Sequence, residues 1–215
     1  MNSFWIKTKK ITRWIFPHYI WKLNPATKCV YLTFDDGPNA EVTPWVMAEL
    51  AKHNAKATFF CIGNNIRKNP EIFKALIHSG HAVGNHTQNH LKGWETTNSF
   101  YWNDVALCQN EIEIHSNCIN KESKLFRPPY GKIKPSQSKA LRKKGFKIIM
   151  WDVISMDFDS KTTPEKCLKN VLENVENGSI IVFHDSKKAF KNLEYTLPKT
   201  LTFLSQNGYQ YDVIQ

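Results

Sequence analysis

The sequence predicts a single α/β domain, a distorted and incomplete (β/α) barrel with about seven parallel strands. Two observations lead to this fold class. Short apolar runs rich in β-branched and aromatic residues alternate with amphipathic helical patterns, and seven such runs occur in 215 residues. A parallel connection needs a long crossover, so the alternation favours a parallel sheet. We expect the active site at the carboxyl ends of its strands.

The strand candidates are short and strongly apolar. The run SIIVF at 179–183 is almost entirely apolar, as expected for a strand that is buried on both faces. The seven candidates are residues 29–34, 57–62, 81–84, 124–126, 146–151, 179–183 and 209–214.

The helical candidates carry start and stop signals. Several open with a proline, whose missing N–H costs nothing in the first turn, and several end at a glycine. The six candidates are residues 43–53, 70–78, 98–115, 135–144, 164–176 and 193–207. Residues 85–99 form the longest stretch without a clear element, and long loops in compact domains tend to be functional.

The chain is basic, with a formal net charge of +10 and Lys/Arg clusters at 7–13, 132–147 and 187–191. Such a surface suits polyanions or anionic lipid headgroups; a merely basic solvated surface is the alternative. No Cys/His finger spacing, leucine zipper or RNA-binding signature is present, so the sequence indicates no specific nucleic-acid partner. Hydrophobic residues at 41% and aromatic residues at 13% exclude a disordered chain.

An N-terminal basic and aromatic segment, residues 1–25, precedes the α/β domain. Within it, Ile11, Trp14 and Ile15 lie at helical spacing beside Lys and Arg residues. This pattern suits an interfacial helix, and therefore peripheral contact with an anionic membrane or a wall polymer. We favour the alternative, in which the aromatic segment packs against the base of its own domain.

The sequence carries no recognisable export signal. No apolar run reaches the roughly 7–15 residues of a signal peptide core or the roughly 20 residues of a membrane span. We therefore expect a cytoplasmic monomer, with association with the cell envelope as the alternative. Five cysteines without a CxxC pair cannot form a complete disulfide framework, and Cys29 and Cys61 in apolar runs suit buried thiols of a reducing compartment.

Chemically active side chains follow the predicted strands. These side chains are Asp35, Asp36, His86, His90, Arg127, Asp152, Asp157 and His184. Each is a weak signal alone, because aspartates are common in turns and histidines are often structural. In a parallel barrel, however, all these strand ends open on one face. One carboxylate and two imidazoles there match a catalytic zinc site with open positions.

Five motifs in this order resemble those of the polysaccharide deacetylases, the NodB-type enzymes of carbohydrate esterase family four. The motifs are TFDDG at 33–37, HTQNH at 86–90, RPPYG at 127–131, the stretch 152–158 and VFH at 182–184. Together they span most of the chain. Two positions depart from the family pattern: Phe158 stands where the family usually has tryptophan, and Val182 where it usually has leucine. Both residues remain apolar, so the departures concern substrate fit more than catalysis.

The resemblance implies a metal centre and an acid–base pair. Asp36, His86 and His90 would bind one divalent metal ion, with zinc the default and cobalt or another divalent ion the alternative. Asp35 would be the general base that accepts a proton from water. His184 would be the general acid that protonates the leaving amine.

The resemblance also implies supporting roles. Arg127 would hold Asp35, and Asp157 would support His184. The backbone N–H of Tyr130, in the same loop as Pro129, would stabilise the oxyanion, and Val182 would line a pocket for the acetyl methyl group.

The implied activity of this catalytic domain, residues 26–215, is removal of N-acetyl groups from N-acetylglucosamine-containing glycans of the chitin or peptidoglycan type, with release of acetate. Two alternatives stay open. One is deacylation of an O-acetyl ester or a lipid-linked sugar by the same machinery, and the other is a carbohydrate-binding pseudoenzyme. Trp94 and Trp102, at the end of the long loop, would stack on sugar rings or pack against helices.

Overall fold

A computed structural model describes residues 6–116 and 124–215 and contains an open parallel barrel. Its strands are β1 (Cys29–Asp35), β2 (Ala57–Cys61), β3 (Ala82–Asn85), β4 (Lys124–Phe126), β5 (Phe146–Ile148), β6 (Val153–Ile154), β7 (Ile180–His184) and β8 (Gln210–Tyr211). Seven of them follow the order β5-β4-β3-β2-β1-β7-β6, β8 pairs with β1, and all these pairs are parallel. The predicted incomplete parallel barrel is confirmed.

The helices cover the outer face of the sheet. They are α1 (Lys10–Ile15), α2 (Val42–Lys52), α3 (Gly63–Lys68), α4 (Pro70–His78), α5 (Asn98–His115), α6 (Pro135–Lys143), α7 (Pro164–Leu172) and α8 (Lys187–Gln206). All six predicted helices form. The sequence did not indicate α3, which at six residues is too short for a periodic signal. It also placed the start of α8 six residues too late, because the lysine-rich first turns lack an apolar stripe.

The sequence also predicted one long strand where the structure has two short ones. The run at 146–151 pairs as β5 only as far as Ile148, and β6 begins at Val153. A two-residue strand such as β6 leaves no alternation that a sequence could show. The candidate at 209–214 likewise pairs only over Gln210–Tyr211.

Residues alternate between the two faces of β1 and β7, which places the polar side chains inside the barrel. Leu32 and Phe34 join the core cluster packed under the helices, as do Ile181 and Phe183 beside them on β7. The intervening residues therefore point to the inner face. The register pairs Asp35 with His184 there, at the carboxyl ends of both strands.

The core behind strands β1, β2 and β7 is aromatic. Phe34 stacks between Phe59 and Phe183, with ring centroids 5.0 and 5.8 Å apart, and all three side chains are fully buried. Burying side chains of this size stabilises a fold by about 1.5–3 kcal/mol each. The positions of the strand ends are thus fixed by packing directly behind them.

The N-terminal segment bridges the two open edges of the barrel, β5 and β6. On the β5 side, Ile20 N donates to Ile148 O (2.9 Å). On the β6 side, Thr8 N donates to Asp152 O (2.8 Å) and Ile154 N donates to Ile6 O (3.0 Å). Residues 6–22 therefore satisfy backbone groups that an open sheet would expose at its edges.

Helix α1 lies across this bridge with its apolar side chains outward. Ile11, Trp14 and Ile15 are 54%, 78% and 55% exposed, and no residue of α1 is buried. The expected packing of the aromatic segment is therefore wrong for Ile11, Trp14 and Ile15, whereas Trp21 of the same segment is buried in the core. The side chain turned inward is Arg13, because the fully buried carboxylate of Asp152 needs a counter-charge.

Two further sequence expectations can be compared with the structure. Cys29 and Cys61 are buried free thiols as predicted, as are Cys108 and Cys167, while Cys118 lies outside the described residues. Across residues 6–116 and 124–215, no helix combines the length and the apolarity needed to cross a bilayer.

Candidate active site

Three potential metal ligands converge at the carboxyl ends of β1 and β3. Asp36 directly follows β1, His86 directly follows β3, and His90 lies four residues after His86. Asp36 Oδ1 is 3.2 Å from His90 Nε2 and 3.7 Å from His86 Nε2. All three ligand atoms lie within 4.8 Å of one another, so one ion could contact them together.

The donor atoms have the form that a divalent metal requires. His86 Nδ1 lies 2.8 Å from Arg127 O, and a proton on Nδ1 for this bond leaves the Nε2 lone pair directed at the cluster. Asp36 Oδ1 is buried, and no side chain or backbone group in the described ranges donates a hydrogen bond to it. A buried carboxylate oxygen left without a donor between two imidazole nitrogens fits a metal site.

The charge states of these ligands also suit a metal. Burial lowers the pKa of His86 to about 4, and the nearby His90 acts in the same direction. Burial acts to raise the pKa of Asp36, but the imidazole of His90, whose Nε2 lies 3.2 Å from Asp36 Oδ1, and the charges of His184 and His86 outweigh burial and hold the pKa well below the usual range. At neutral pH both ligands are deprotonated, which metal binding requires.

Strained backbone is concentrated in the loops that carry these residues. Asp36 (φ 82°), Thr87 (φ 66°), His90 (φ 56°) and Tyr130 (φ 59°) adopt left-handed conformations that non-glycine residues rarely occupy. Such residues cost of order 1–3 kcal/mol each, and they persist where surrounding contacts fix them. The strain therefore marks these loops as the functional face of the barrel.

Asp35 is held by a fully buried guanidinium. Arg127 Nη1 donates to Asp35 Oδ1 and to Thr33 Oγ1, both at 2.7 Å, and Nη2 donates to Met150 O at 2.9 Å. The guanidinium also lies 4.1 Å from the centre of the Phe60 ring. Burial lowers the pKa of Arg127 and the charge of Asp35 opposes this, so the pair remains ionic. Asp35 thus has a fixed orientation inside the barrel.

His184 is paired with a second buried carboxylate. Its Nδ1 is 2.8 Å from Asp157 Oδ1, and its backbone N–H donates to Asp157 Oδ2, also at 2.8 Å. Burial acts to lower the pKa of His184, but Asp157 outweighs it and raises the pKa to about 9. The imidazole is therefore protonated at neutral pH. Phe158 packs edge-on against it, 4.8 Å between ring centroids.

The remaining residues predicted for the site lie beside these two pairs. Pro129 and Tyr130 form a 3-10 turn after β4, and the half-exposed Tyr130 ring is 4.6 Å from the His90 ring. Val182 is buried on β7, two residues before His184, and therefore lies deeper on the same face of the strand. Of the two loop tryptophans, Trp94 is exposed and donates its indole N–H to Ile133 O, whereas Trp102 packs on the core.

Asp152 does not join this face, contrary to expectation. It precedes β6 instead of following a strand, because β5 ends at Ile148. Its carboxylate pairs with Lys7 and Arg13, and Ser179 Oγ, just before β7, donates to it at 2.6 Å. It therefore lies at the amino ends of the strands, at the base of the barrel.

Sequence reasoning missed two buried carboxylates that hold the ligand loops. Asp104 on α5 accepts the backbone N–H groups of Gln88 (2.9 Å) and Asn89 (3.1 Å), between the two histidine ligands. A carboxylate at an amphipathic helix position gives no signal of this role, since the contact is made through the tertiary fold.

The second missed residue is Asp185, directly after His184. Its Oδ1 accepts the backbone N–H of Gly37 (3.0 Å), its Oδ2 accepts the Thr43 hydroxyl, and its own N–H donates to Asp35 O (3.1 Å). A Cβ on Gly37 would lie 2.0 Å from Asp185 Oδ2, so only glycine fits there. Burial raises the pKa of Asp185 to about 7. Its position next to the final motif is the one signal that could have drawn attention to it.

Residues 22–149 match the family model described as polysaccharide deacetylase, which is more than half of the chain. The chain belongs to the polysaccharide deacetylase family. It is 31% identical over 192 residues to a peptidoglycan-N-acetylglucosamine deacetylase of Bacillus cereus, covering 89% of this chain and 88% of that protein. It is 33% identical over 156 residues to a chitooligosaccharide deacetylase of Azorhizobium caulinodans, covering 73% of each.

The fold of this family member also matches a solved deacetylase. The crystal structure of the Bc1960 peptidoglycan N-acetylglucosamine deacetylase aligns with a TM-score of 0.86 and 30% identity, covering 94% of each chain. Some relatives are longer, and the chain spans 56% of a second B. cereus deacetylase and 38% of a Listeria monocytogenes one. The barrel with its polar face is thus the part shared across deacetylases of different length.

Proposed function

We propose that this chain hydrolyses N-acetyl groups on glycans that contain N-acetylglucosamine, of the peptidoglycan or chitin-oligomer type, and releases acetate. One observation carries the proposal: a carboxylate held by Arg127 and an imidazole held by Asp157 lie side by side, in register on β1 and β7, next to the Asp36, His86 and His90 cluster. Amide hydrolysis needs a proton acceptor and a proton donor on one reacting centre. The relatives named above support the class of substrate.

Asp36, His86 and His90 would hold one divalent ion, with zinc the default because imidazole and carboxylate ligands with open positions are typical of catalytic zinc. Cobalt or another divalent ion would also suit this ligand set. When bound, such an ion polarises the acetyl carbonyl as a Lewis acid.

Asp35 acts as the general base. Arg127 and Thr33 hold it in one orientation, so its carboxylate can accept a proton from the attacking water. The guanidinium also supplies a counter-charge within hydrogen-bond distance, so the buried carboxylate is not left unpaired.

His184 acts as the general acid. Asp157 holds Nδ1, so Nε2 is the nitrogen left to donate a proton toward the substrate. As the C–N bond breaks, that proton goes to the departing sugar nitrogen, and the proton taken from water stays on Asp35. The step releases acetic acid, which ionises to acetate in solution, and a free amine. Asp35 then loses its proton to solvent and His184 takes one up, which restores both groups and balances the hydrolysis.

Three further residues would shape the site around the acetyl group. The backbone N–H of Tyr130 would donate to the oxyanion, a contact typically worth about 3–4 kcal/mol. Val182, buried below His184, would contact the acetyl methyl group, and Pro129 would keep the Tyr130 turn rigid.

The test is acetate release by the zinc-loaded full chain from three substrates: chitin oligomers, peptidoglycan and acetylated xylan. We expect release from the N-acetylated glycans, and unchanged release by the control variant His78→Ala, which removes a histidine outside the site. Release from xylan alone would replace the proposal with an O-acetyl esterase. Binding of oligomers by folded, metal-loaded protein without any release would replace it with a pseudoenzyme.

A further inference from the structure

The exposed apolar side chains of this protein are concentrated in one short stretch. Nine large hydrophobic side chains are exposed within residues 6–116 and 124–215, and four of them lie within residues 11–16. We call these four, Ile11, Trp14, Ile15 and Phe16, the docking face. Trp14 is 78% exposed, more than any of the other eight. A cluster of this kind marks an interaction surface, whereas single exposed apolar residues do not.

Two contacts hold the backbone that carries the docking face against the barrel. Just before α1, Thr8 Oγ1 donates to Trp151 O at 2.7 Å. Within α1, Arg13 pairs with the buried Asp152. These contacts hold the polar side of the helix against the barrel, so the apolar side faces solvent as a consequence of the fold and not of loose packing.

The sequence around the docking face is basic, and of its Lys and Arg residues Lys7, Arg13 and Lys22 are paired with Asp152 or Glu176. Residues 1–34 contain six Lys and Arg residues and no acidic residue, since Asp35 is the first acidic residue of the chain. Lys9 and Lys10 are both exposed at the start of α1. Exposed Trp and Ile side chains beside lysines are the composition that binds the boundary between headgroups and acyl chains of an anionic bilayer.

We propose that the docking face attaches this protein to an anionic lipid bilayer. Ile11, Trp14, Ile15 and Phe16 enter the headgroup boundary, and Lys9 and Lys10 contact anionic headgroups. This attachment is independent of the hydrolysis proposed above, because it uses no residue of the active site.

The position of α1 also fixes how the active site would face. Arg13 within α1 contacts Asp152, which precedes β6, and Lys7 before α1 contacts both Asp152 and the carbonyl of Asn174, in the loop before β7. These lie at the amino ends of the strands, whereas the catalytic groups lie at the carboxyl ends. A docked protein would therefore direct its active site away from the bilayer, toward a glycan polymer and not toward a sugar linked to the same lipid surface.

Co-sedimentation of the full chain with phosphatidylcholine vesicles, with and without phosphatidylglycerol, tests this attachment. We expect binding to the anionic vesicles that weakens at high salt. The variant Trp14→Ser/Ile15→Ser should bind at least about tenfold more weakly, because it removes two apolar side chains from the contact. The matched control Phe100→Ser/Ile114→Ser removes two side chains of α5 that are 59% and 58% exposed, and it should bind like wild type.

A second variant, Lys9→Gln/Lys10→Gln, should lose binding severalfold to the anionic vesicles at low salt and lose little at high salt. All these variants should hydrolyse soluble oligomers at the wild-type rate, which separates failure of docking from failure of the proposed activity. No binding to anionic vesicles at low salt, or an equal loss in the α5 control, would overturn the proposal. The proposal would also be overturned if light scattering showed that Trp14→Ser/Ile15→Ser only dissociates a dimer of this chain.

Discussion

Both ends of the barrel contain a buried aspartate paired with basic side chains, yet the two sets of ion pairs have different roles. At the carboxyl ends, Asp35 is held by Arg127, whose completely buried side chain also bonds Thr33 and the carbonyl of Met150. At the amino ends, Asp152 is held by Lys7 and Arg13, which are 29% and 26% exposed. In the proposed mechanism the first pair orients the general base, whereas the second pair fastens the N-terminal segment.

This difference shows that an ion pair by itself does not indicate function. Buried pairs add little net stability, because desolvation offsets their attraction, but losing one partner leaves the other costly. What distinguishes Asp35 is its surroundings: three potential metal ligands and a protonated histidine lie beside it. Asp152 has only structural neighbours.

The largest effect should follow from breaking the catalytic pair. Arg127→Ala leaves Asp35 buried without its counter-charge, so we expect a loss of about 3–5 kcal/mol in unfolding free energy and of about 10²–10⁴ in kcat. Denaturant unfolding and acetate release measure the two effects. Arg127→Lys, which keeps the charge but loses the fork of donors, should fold better and still be impaired in kcat. Wild-type kcat in that variant would show that the orientation of Asp35 is not important.

Removing Asp185, which holds the loop that carries Asp36, should have the next largest effect. Asp185→Ala frees Gly37 and Thr43, so Asp36 loses its fixed position and we expect about 10–100-fold weaker zinc binding. Competition with a chromogenic chelator measures this affinity. Asp212→Ala removes an exposed carboxylate beside the amino end of β1 and serves as the control. Unchanged zinc affinity in Asp185→Ala would confine Asp185 to a role in stability.

The pH dependence should reveal the pairing of His184 with Asp157. Burial acts to lower the pKa of His184, and Asp157 raises it to about 9, so wild-type activity should fall only above about pH 9, where the acid loses its proton. Asp157→Asn removes the largest of the charges that oppose burial, while Asp36 and Asp35 remain, and the alkaline limb of the kcat profile should move down by about 1–3 pH units. The shift should appear in kcat with little change in KM. An alkaline limb at the same pH in both proteins would exclude His184 as the acid.

Breaking the ion pair of Asp152 at the base of the barrel should have the smallest effect on activity. Asp152→Ala leaves Lys7 and Arg13 without their partner, and we expect a loss of about 1–3 kcal/mol in unfolding free energy. The kcat for soluble oligomers should stay at the wild-type value, because this pair lies at the opposite end of the strands. A fall in kcat as large as that of Arg127→Ala would mean that the two ends of the barrel are coupled.

The sequence predicts the catalytic face better than the base for a physical reason. Strands of a parallel barrel are apolar and regular, so polar residues that interrupt them at their carboxyl ends, such as Asp35 and His184, are visible in the sequence and must meet in space. The sequence carries no comparable signal for β6, which has only two residues. It carries none for the role of Asp152 either, because the charged partners Lys7 and Arg13 lie more than a hundred residues away. The supports Asp104 and Asp185 were missed because only the tertiary fold brings them to the backbone groups that they hold.

For the N-terminal segment, the sequence indicated the helix but not which side of it faces the domain. Its composition indicated an amphipathic helix, but composition cannot show which side of a helix will face the domain. That choice depends on the buried charge of Asp152, which draws Arg13 inward and leaves Trp14 in solvent.

The central claim is that one carboxylate, Asp35, accepts the proton while its neighbour Asp36 serves the metal. The most direct test is to strip wild type and Asp35→Asn of metal, add one equivalent of zinc, and measure both bound zinc and acetate released from chitin oligomers. We predict that both proteins bind the zinc, that only wild type regains acetate release, and that the variant falls short by about 10²–10⁴. Near-normal release by zinc-loaded Asp35→Asn would contradict the account, as would wild-type release that does not depend on added metal.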